Sequence, residues 1–487
     1  PSSDYWVVKL NSTGDMVWQK SLGGSSWDEA YSIVQTQDGG FVVAGQTDSN
    51  DGDVSGNHGL TDYWVVKLNS PGDIVWQKCL GGSNFEIARS IAHTIDGGSI
   101  VAGYSSSNDG DVSGIHGYED FWVVKLDYSG DIQWQKCLGG SLYDRAYSIA
   151  QTSDEGYIVA GHTHSNNGDV SGWHPGYDPG PPPFPRPDYW VVKLDTIGNI
   201  EWQKCLGGSG YDYALSVAQT ADGGFIVGGY TDSDDGDVSG NNGFNDYWVV
   251  KLDTIGNIEW QKCLGGSSND YAHSNSIVQA TDGGFIVAGG SYSNDGDVSG
   301  NHGLADYWVV KLDTLGDIQW QKCFGGSSWE DVYSVVLTAR GGFVVAGETF
   351  SNNGDVSGWH VGYDDYGDPA TDYWVVKLEP GTGIAENPLP ELFAMSITPN
   401  PFNSAVTITL DCHSRAIGNP EGALAVEIFD VSGRIVATPS LVLPLGKGEM
   451  SEGQRGFIWQ PGDNIGSGVY LVRATFPQQT ASAVCTK

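Results

Sequence analysis

Six copies of one polar loop carry the residues of this sequence that are best suited to bind a metal ion. The loop is SNDGDVSG at 49–56, and close copies stand at 107–114, 165–172, 233–240, 293–300 and 351–358. Calcium takes about six to eight oxygen ligands, and closely spaced Asn and Asp side chains around a glycine turn can supply several of them. The pattern therefore predicts calcium as a cofactor, although the Glu that closes an EF-hand loop is absent. The alternative is an Asx turn, in which the same side chains cap backbone amides without an ion. The candidate ligands are Asn50, Asp51, Asp53, Asn108, Asp109, Asp111, Asp169, Asp234, Asp235, Asp237, Asp295, Asp297 and Asp355.

The same loop contains the residue types of a catalytic triad. Asp53, Ser55 and His58 lie within six residues, whereas triad members normally come from separated segments to meet a strict geometry. The trio recurs in most copies, and Asn242 replaces the His in one, which indicates a structural role. The sequence also lacks GxSxG, HExxH, Walker and Rossmann signatures. We therefore predict no catalytic residues. The alternative is a carbohydrate-active enzyme with paired carboxylates, whose separation only a structure can give.

Two sets of aromatic residues suggest a ligand-binding surface. The first occupies one position of a repeated GGS loop, and the second follows the SG of the polar loop. Aromatic rings beside carboxylates suit stacking on sugars, with hydrogen bonds to their hydroxyl groups. Packing of one loop on another is the competing explanation. The candidate ligand-binding residues are Trp27, Phe85, Tyr143, Tyr211, Trp329, Trp173 and Trp359.

An internal repeat must position these residues. The string DYWVVKL begins at Asp4 and returns, once as DFWVVKL, at intervals of 58 to 68 residues. Each unit has four short apolar segments of the types DYWVVKL, IVWQKCL, AYSIVQT and FVVAGYT, rich in Val, Ile, Tyr and Trp and bounded by Gly, Asp and Asn. Such segments are typical of β-strands. Four antiparallel strands per unit are typical of a propeller blade. We predict an all-β fold whose first domain, residues 1–378, is a β-propeller of six blades, or alternatively seven.

The order of the strands makes further predictions. The strand count exceeds six blades of four by one, so we expect the first segment to pair with the last and close the ring. In this order the GGS loops, the polar loops and two insertions, at about 174–187 and 360–371, lie at one end of the propeller. Insertions on one face often mark the binding surface of a repeat protein.

Composition and charge exclude several classes of protein. The chain has 60 acidic and 23 basic residues, a net charge of −37, and about −33 of it falls on the repeats. Such acidity argues against nucleic acid, whose phosphates require basic patches. No stretch of about 18 apolar residues occurs, so we predict no membrane-spanning segment.

The seven cysteines divide into two groups. Five occupy one repeat position, where Ser21 stands in the first unit: Cys79, Cys137, Cys205, Cys263 and Cys323. Equivalent positions on neighbouring blades should lie beyond the ~7 Å Cα separation of a disulfide, so we expect buried free thiols. Cys412 and Cys485 lie on predicted strands of the tail and could form a bridge.

The repeat resembles a known class. The order GGSSWDEAYSIVQT, GGFVVAGQT, DYWVVKL, GDIVWQKCLGG is similar to bacterial SBBP-type and related β-propeller repeats over about residues 1–378. The resemblance implies an extracellular or surface propeller, and it carries the fold rather than a reaction.

The composition changes after the repeats. Residues 379–390 contain a Pro- and Gly-rich linker, and residues 391–487 contain the strand-like segments ITPNPFNSAVTITL, VEIFDVSGRIV and SGVYLVRATF. This segment resembles the Ig-like C-terminal sorting domain of type IX secretion cargo, although it ends without the expected final basic and apolar strand. The residues that carry the resemblance are Asn400, Pro401, Phe402, Asn403, Asp430, Gly433, Arg434, Gly468, Val469 and Tyr470.

Together these observations favour a secreted or surface-displayed binding or structural module of a Gram-negative bacterium. Its expected partners are a polysaccharide or a surface protein at the loop face, and the secretion machinery at the C-terminal domain.

Overall fold

The structure is a computed structural model that describes residues 3–179, 183–360 and 371–379, together with the backbone of the C-terminal strands between 394 and 486. Every regular element in these residues is a β-strand, which confirms the all-β prediction. The described residues contain no helix long and apolar enough to cross a membrane. The chain divides into two compact units, Pro1–Gly383 and Ile384–Lys487.

Five blades have four antiparallel strands each, which we call a, b, c and d in chain order. In every blade the order in the sheet follows the chain, with tight turns between a and b and between c and d, and the longer polar loop between b and c. The blades are β3 (Asp28–Gln35), β4 (Phe41–Thr47), β5 (Asp62–Leu68) and β6 (Ile74–Leu80); β7 (Glu86–His93), β8 (Ser99–Ser105), β9 (Asp120–Leu126) and β10 (Ile132–Leu138); β11 (Asp144–Gln151), β12 (Tyr157–Thr163), β15 (Asp188–Leu194) and β16 (Ile200–Leu206); β17 (Asp212–Gln219), β18 (Phe225–Thr231), β19 (Asp246–Leu252) and β20 (Ile258–Leu264); β21 (Asp270–Gln279), β22 (Phe285–Ser291), β23 (Asp306–Leu312) and β24 (Ile318–Phe324).

The sixth blade has three strands, β25 (Glu330–Leu337), β26 (Phe343–Thr349) and β27 (Asp372–Leu378), so the protein is a six-bladed β-propeller. A separate two-stranded sheet, β1 (Tyr5–Leu10) and β2 (Met16–Leu22), has the sequence of strands c and d. The predicted pairing of the first segment with the last is not found among the described strands, because β1 pairs with β2 and β27 with β26. The ring instead closes through side chains. Tyr373 stacks on Trp6 with a ring separation of 4.8 Å.

In the five four-stranded blades, strand c is buried on both faces because the blades pack against each other. On β5, Trp64 and Val66 join one apolar cluster and Tyr63 and Val65 join the next. The two clusters alternate along the strand because successive side chains of a β-strand point to opposite faces. Tyr63 packs on Trp122 of the next blade with ring centroids 4.5 Å apart. The five repeat cysteines are buried and free, as predicted.

Strand a lies innermost, next to strand a of the following blade. The backbone N–H of Ile91 donates to the hydroxyl of Ser32 at 3.3 Å, and Ile149 bonds Ser90 in the same way at 3.2 Å. Each strand a also has a register shift after its third residue, between Ala30 and Ser32 in the first blade. Such a bulge re-aims the extra side chain.

The insertion of the third blade forms a small sheet of β13 (Tyr177–Asp178) and β14 (Phe184–Pro185). The second predicted insertion lies largely at 361–370, outside the described residues.

The C-terminal unit contains two antiparallel sheets. One is β28 (Ala394–Thr398), β29 (Val406–Asp411) and β32 (Gln454–Trp459); the other is β30 (Ala425–Phe429), β31 (Ile435–Ala437), β33 (Val469–Phe476) and β34 (Gln479–Thr486). Cys485 lies on β34, whereas Cys412 lies outside the described residues, so the disulfide stays a prediction. Of the residues that carry the sorting-domain resemblance, only Val469 and Tyr470 are described.

Candidate functional site

The upper face of the propeller is the end at which strand a begins and strand b ends. In the first blade, Asp28 and Thr47 are paired at this end, and the backbone N–H of Asp48 donates to the carbonyl of Trp27 at 2.8 Å. The d–a loops with GGS and the polar b–c loops therefore emerge side by side, as the strand order predicted. The insertion with β13 and β14 follows a b–c loop and belongs to the same face.

The five predicted aromatics of the GGS loops lie on the upper face but differ in exposure. Trp27, Phe85 and Trp329 are exposed, whereas Tyr143 and Tyr211 are half-buried. The three exposed rings are open to a ligand, because half or so of each side chain remains in solvent.

The insertion of the third blade engages two of the predicted residues. The hydroxyl of Tyr211 donates to Asp178 at 2.5 Å, and the guanidinium of Arg186 lies 5.0 Å from the ring of Tyr211. The indole N–H of Trp173 donates to the carbonyl of Arg186 at 2.9 Å, and its ring packs against the core of the blade. These contacts give Tyr211 and Trp173 a structural role in holding the insertion. Trp359 is half-buried.

The polar b–c loops place their Asn and Asp side chains on backbone amides. Asp51 Oδ1 accepts a hydrogen bond from the backbone N–H of Ser25 at 2.7 Å. Asn167 Oδ1 makes the equivalent bond to Ser141 at 2.8 Å, so a neutral amide serves as well as a carboxylate. Asp53 Oδ2 accepts a further, longer bond from the GGS segment at 3.3 Å. We call these contacts, in which Asn and Asp side chains of the b–c loop cap backbone amides of the neighbouring d–a loop, the Asx cap.

The metal prediction stays open after this geometry. In the part of the chain that the structure describes, no three or more His, Cys, Asp or Glu side chains are grouped so that they could hold a metal ion. A calcium site made of carbonyl and Asn oxygens needs no such group. Calcium binding by the b–c loops therefore remains a prediction.

The residues of the triad pattern have separate partners. His58 Nδ1 lies 2.6 Å from Asp62 Oδ2, at the start of strand c. The hydroxyl of Ser55 instead accepts a hydrogen bond from Gln77 at 2.6 Å. His58 therefore positions a buried carboxylate and does not contact the serine.

Buried carboxylates stand where strands c and a begin. Asp188, Asp212 and Asp246 have no exposed surface. Burial raises the pKa of Asp188, and it raises the pKa of Asp212 and that of Asp246 to about 7. Oδ1 of Asp188 and of Asp246 has no hydrogen-bond partner. In each case the cause is that burial penalises the charged form of the carboxyl, and the orphaned Oδ1 of Asp246 adds to that cost.

The bulge of strand a is one of the places at which the repeats differ. The residue before it is Ala or Val in every blade, whereas the bulge residue itself is Tyr in three blades and Arg, Leu or His in the others. The bulge residues meet around the central axis. The guanidinium of Arg89 lies 4.2 Å from the ring of Tyr31 and 5.6 Å from that of Tyr147, and His273 lies 5.4 Å from Tyr333. We call this set the central ring: Tyr31, Arg89, Tyr147, Leu215, His273 and Tyr333.

Arg89 is an unusual cation in so acidic a protein. It makes no ion pair with any described carboxylate, and its one hydrogen bond is to the hydroxyl of Tyr104 at 3.3 Å. Its Nε is buried without a partner. Arg145 nearby is, in contrast, paired with Glu119. A positive charge framed by tyrosines and lacking a carboxylate can receive an anionic group.

An aromatic network connects the central ring with the loop aromatics. His162 is buried between Tyr147 and Tyr213, at 5.4 Å and 4.6 Å. Burial lowers the pKa of His162 well below its usual value, so its ring is neutral. Arg145 lies 5.6 Å from the ring of Tyr143, which links the loop residue to this cluster.

Among the described residues, acidic side chains from the first and sixth blades contact members of the central ring. Glu29 accepts a hydrogen bond from the hydroxyl of Tyr31 at 2.5 Å, and Glu348 accepts one from Tyr333 at 2.7 Å. Asp331 lies 2.9 Å from Nε2 of His273. The central ring was not predicted from the sequence, although these positions vary between repeats whose strand c is nearly constant.

A cavity of about 320 Å³ lies at the lower end of the propeller, between the first two blades. Lys67, Asp38, Trp76, His93 and Tyr128 contribute to its lining. The cavity lies at the lower end of the strands, whereas the candidate ligand-binding residues lie on the upper face.

The geometry defines the class of the protein as a repeat-built β-propeller. No family model matches the chain. A regulatory protein, FlaEY, of Caulobacter vibrioides is 26% identical over 254 residues, which cover 47% of this chain and 25% of that protein. The match thus spans about a quarter of the relative's length.

Proposed function

We propose that this protein is a binding module that holds a polysaccharide on its upper face, with the central ring as the specific part of the site. The observation that carries the proposal is the variation of the bulge residue. If the bulge residue only stabilised the propeller, one residue type would suffice at this position in every blade. A ligand that lacks the symmetry of the propeller requires different residue types in different blades.

The chemistry of the face favours a sugar polymer that contains uronic acids. Trp27, Phe85 and Trp329 are exposed rings on which sugars can stack, since aromatic anchors supply contact area at low entropic cost. Arg89 offers a guanidinium without a carboxylate partner, and guanidinium groups bind carboxylates with two parallel bonds. Tyrosine hydroxyl groups around it can bond to sugar hydroxyl groups.

The test is binding of uronate-containing and neutral polysaccharides, measured by calorimetry and on a glycan array. Replacing Trp27 or Trp329 with Ala should weaken binding by about 1–2 kcal/mol each, with little effect on the melting temperature. Arg89→Met should remove the preference for the uronate polymer over a neutral one. Tyr128→Ala is the matched control, because Tyr128 is an exposed aromatic of the lower face.

Equal losses for Tyr128→Ala and Trp27→Ala would contradict the assignment to the upper face. Loss of stability without any change in binding would favour packing of the loops on each other.

The alternative function is hydrolysis of such a polymer. It is favoured by the acids Glu29, Asp331 and Glu348, which break the repeat pattern at the central ring. Glycoside hydrolysis needs two carboxyl groups on either side of the bond. Incubation with the bound polymer should then release reducing ends, and Asp331→Gln or Glu348→Gln should abolish the release while binding persists. A polymer that binds and stays intact would leave the binding function alone.

We further propose that the C-terminal domain directs the protein to the outside of a Gram-negative cell. The support is the sequence resemblance of residues 391–487 to a type IX sorting domain. Deleting these residues should leave the propeller in the periplasm, as measured by cell fractionation. Unchanged delivery to the surface would refute this proposal and leave the binding function untouched.

A further inference from the structure

A pair of aromatic rings recurs between neighbouring sheets at the lower end of the propeller. In each pair, a Trp of strand d packs on the residue that begins strand b of the following blade, with ring centroids 5.5 to 5.9 Å apart. Such pairs fill the space between packed sheets. The pairs are Trp18 with Phe41, Trp134 with Tyr157, Trp202 with Phe225, Trp260 with Phe285 and Trp320 with Phe343.

The junction between the first two blades has the Trp but not the second ring. Strand β8 begins with Ser99, opposite Trp76 of β6. Trp76 is nevertheless held like its counterparts, because its indole N–H donates to the carbonyl of Tyr128 at 3.2 Å, as that of Trp18 does to Ser70 at 3.2 Å. The lower cavity lies at this junction, with Trp76 and Ser99 in its lining. The replacement of a ring by a hydroxymethyl group therefore accounts for the position of the cavity.

A second departure from the repeat lies directly opposite Ser99. His93 ends β7 and pairs with Ser99 in the register of the hairpin, and it also lines the cavity. Most blades have Gln at this place, and Gln151 accepts a hydrogen bond from the backbone N–H of Ile95, in the a–b turn of the preceding blade, at 2.8 Å. Both ring nitrogens of His93 are buried without a hydrogen-bond partner among the described residues. Buried polar atoms of this kind are costly, so they favour a ligand that can bond to them.

The charged groups of the cavity are engaged with protein partners. Lys67 Nζ lies 2.9 Å from Asp38 Oδ1, and the equivalent pair recurs in other blades. Asp127 Oδ1 accepts a hydrogen bond from the backbone N–H of Ser129 at 2.8 Å. Because both signs of charge are already paired, the cavity favours a neutral occupant.

We propose that this cavity is a binding site for one small neutral phenol. The aromatic ring would lie against Trp76, in the place that Phe or Tyr takes at the other junctions. The phenolic hydroxyl would bond to His93, since a hydroxyl both donates and accepts, and a neutral imidazole has one donor and one acceptor nitrogen. The proposal does not depend on the function of the upper face.

The size of the cavity agrees with such a ligand. A cavity of about 150 Å³ holds benzene, and the pockets that bind small molecules begin at about 300 Å³. The lower cavity, at about 320 Å³, therefore admits one aromatic ring with a substituent.

The experiment uses the full chain, with p-cresol as the probe and toluene as the molecule of the same shape without a hydroxyl. Calorimetry and ligand-observed NMR should show one bound p-cresol per chain. Toluene should bind about tenfold more weakly, because it leaves the nitrogens of His93 without a partner. His93→Gln should bring the two affinities close together, since Gln can bond to the preceding turn as it does in other blades.

Ser99→Phe is the variant that tests the location of the site. It restores the ring found at this place in four other blades, so it should abolish p-cresol binding and raise the melting temperature by filling the cavity. Ser99→Leu fills the cavity with an aliphatic side chain and should also abolish binding. The matched control is Tyr157→Phe, at the same position of the next blade, which should leave p-cresol binding unchanged.

Three results would overturn the proposal. Binding of p-cresol that persists in both Ser99→Phe and Ser99→Leu would place the ligand elsewhere on the protein. Equal affinities for p-cresol and toluene, both lost in Ser99→Phe, would mean that the cavity takes an apolar ring and that His93 does not recognise a hydroxyl. No binding of p-cresol at millimolar concentration would mean that the cavity is not a phenol site.

Discussion

At the scale of single residues, buried carboxylates make the stability of this propeller depend on pH. Asp246 is fully buried, and its Oδ2 accepts one hydrogen bond, from the backbone N–H of Asn242 at 2.7 Å. Other blades have a His at the place of Asn242, for example His302, whose Nδ1 lies 2.6 Å from Asp306. Asp246 lacks this partner, and burial raises its pKa to about 7.

The sign of the effect follows from linkage. A carboxyl that titrates near pH 4 in the unfolded chain and near 7 in the fold stabilises the fold at low pH, and this contribution is lost as the pH rises through 7. Between pH 5 and pH 8 the free energy of unfolding should therefore fall, by about 2 kcal/mol from Asp246 alone.

We predict that Asp246→Asn raises the melting temperature at pH 8 and changes it little at pH 5, as measured by scanning calorimetry. The amide keeps the shape of the side chain and removes the charge. Asp222→Asn is a control with the opposite sign. Burial acts to raise the pKa of Asp222, but hydrogen bonds from Thr220 and Lys251 lower it to about 2. The charged form of Asp222 therefore stabilises the fold at pH values above its ordinary pKa of about 4. An equal response of both variants to pH would contradict the assignment.

At the scale of elements, the polar b–c loop is the most repeated feature after the strands. Its Asn and Asp side chains join two loops of the upper face, because Asp51 caps the amide of Ser25, 26 residues away. The glycine after it, Gly52, has a φ of 66°, which only glycine adopts readily. The loop therefore has a structural role with or without an ion.

We predict that Asp51→Ala lowers the free energy of unfolding by about 1 kcal/mol, whereas Asp51→Asn is nearly neutral. The reason is that Asn167 and Asn353 make the same bond in their own blades. Urea denaturation of the two variants is the measurement. A large loss for Asp51→Asn would mean that the charge itself is needed.

The calcium hypothesis makes a separate prediction about the same b–c loops. If ions bind, a chelator should lower the melting temperature of the wild-type protein, and millimolar calcium should restore it. Asp53→Asn and Asp297→Asn should each reduce this response, because they remove a carboxylate from one loop. Identical melting curves with chelator and with calcium would leave only the Asx cap.

At the scale of the whole molecule, self-repulsion of the acidic surface opposes folding. The chain carries 60 acidic and 23 basic residues. Surface ion pairs such as Lys78–Asp131 at 2.7 Å recur between neighbouring blades, but exposed pairs contribute little each. With so few cations, repulsion should exceed attraction, and salt screens both over about 10 Å at 0.1 M.

We predict that raising sodium chloride from about 10 mM to about 300 mM increases the melting temperature, because the Debye length falls to several ångströms. Thermal melts at constant pH are the measurement, with a neutral osmolyte as the control for unspecific effects. A melting temperature that falls with salt would mean that the ion pairs between blades dominate the electrostatics.

The sequence by itself determined the strands, their order and the faces of strand c. These features depend on local pattern: Val, Ile and Trp alternate at a period of two, and Asp-Gly-Gly or a similar turn ends each segment. The burial of the repeat cysteines and the common end of the GGS and b–c loops also followed, because each is set by the order of antiparallel strands. The function of the exposed aromatics and of the b–c loops stays a prediction.

Only the tertiary structure decided how the ring closes and which residues meet at its centre. Tyr31, Arg89 and Tyr147 are 58 residues apart in the chain, and they come together because strand a is innermost and its bulge turns each side chain toward the axis. The pairing of β1 and of β27 was also hidden in the sequence, since the two strands carry the same residues and either could complete a blade. Their places follow from packing of whole sheets, in which contacts between distant segments outweigh the local pattern that the two strands share.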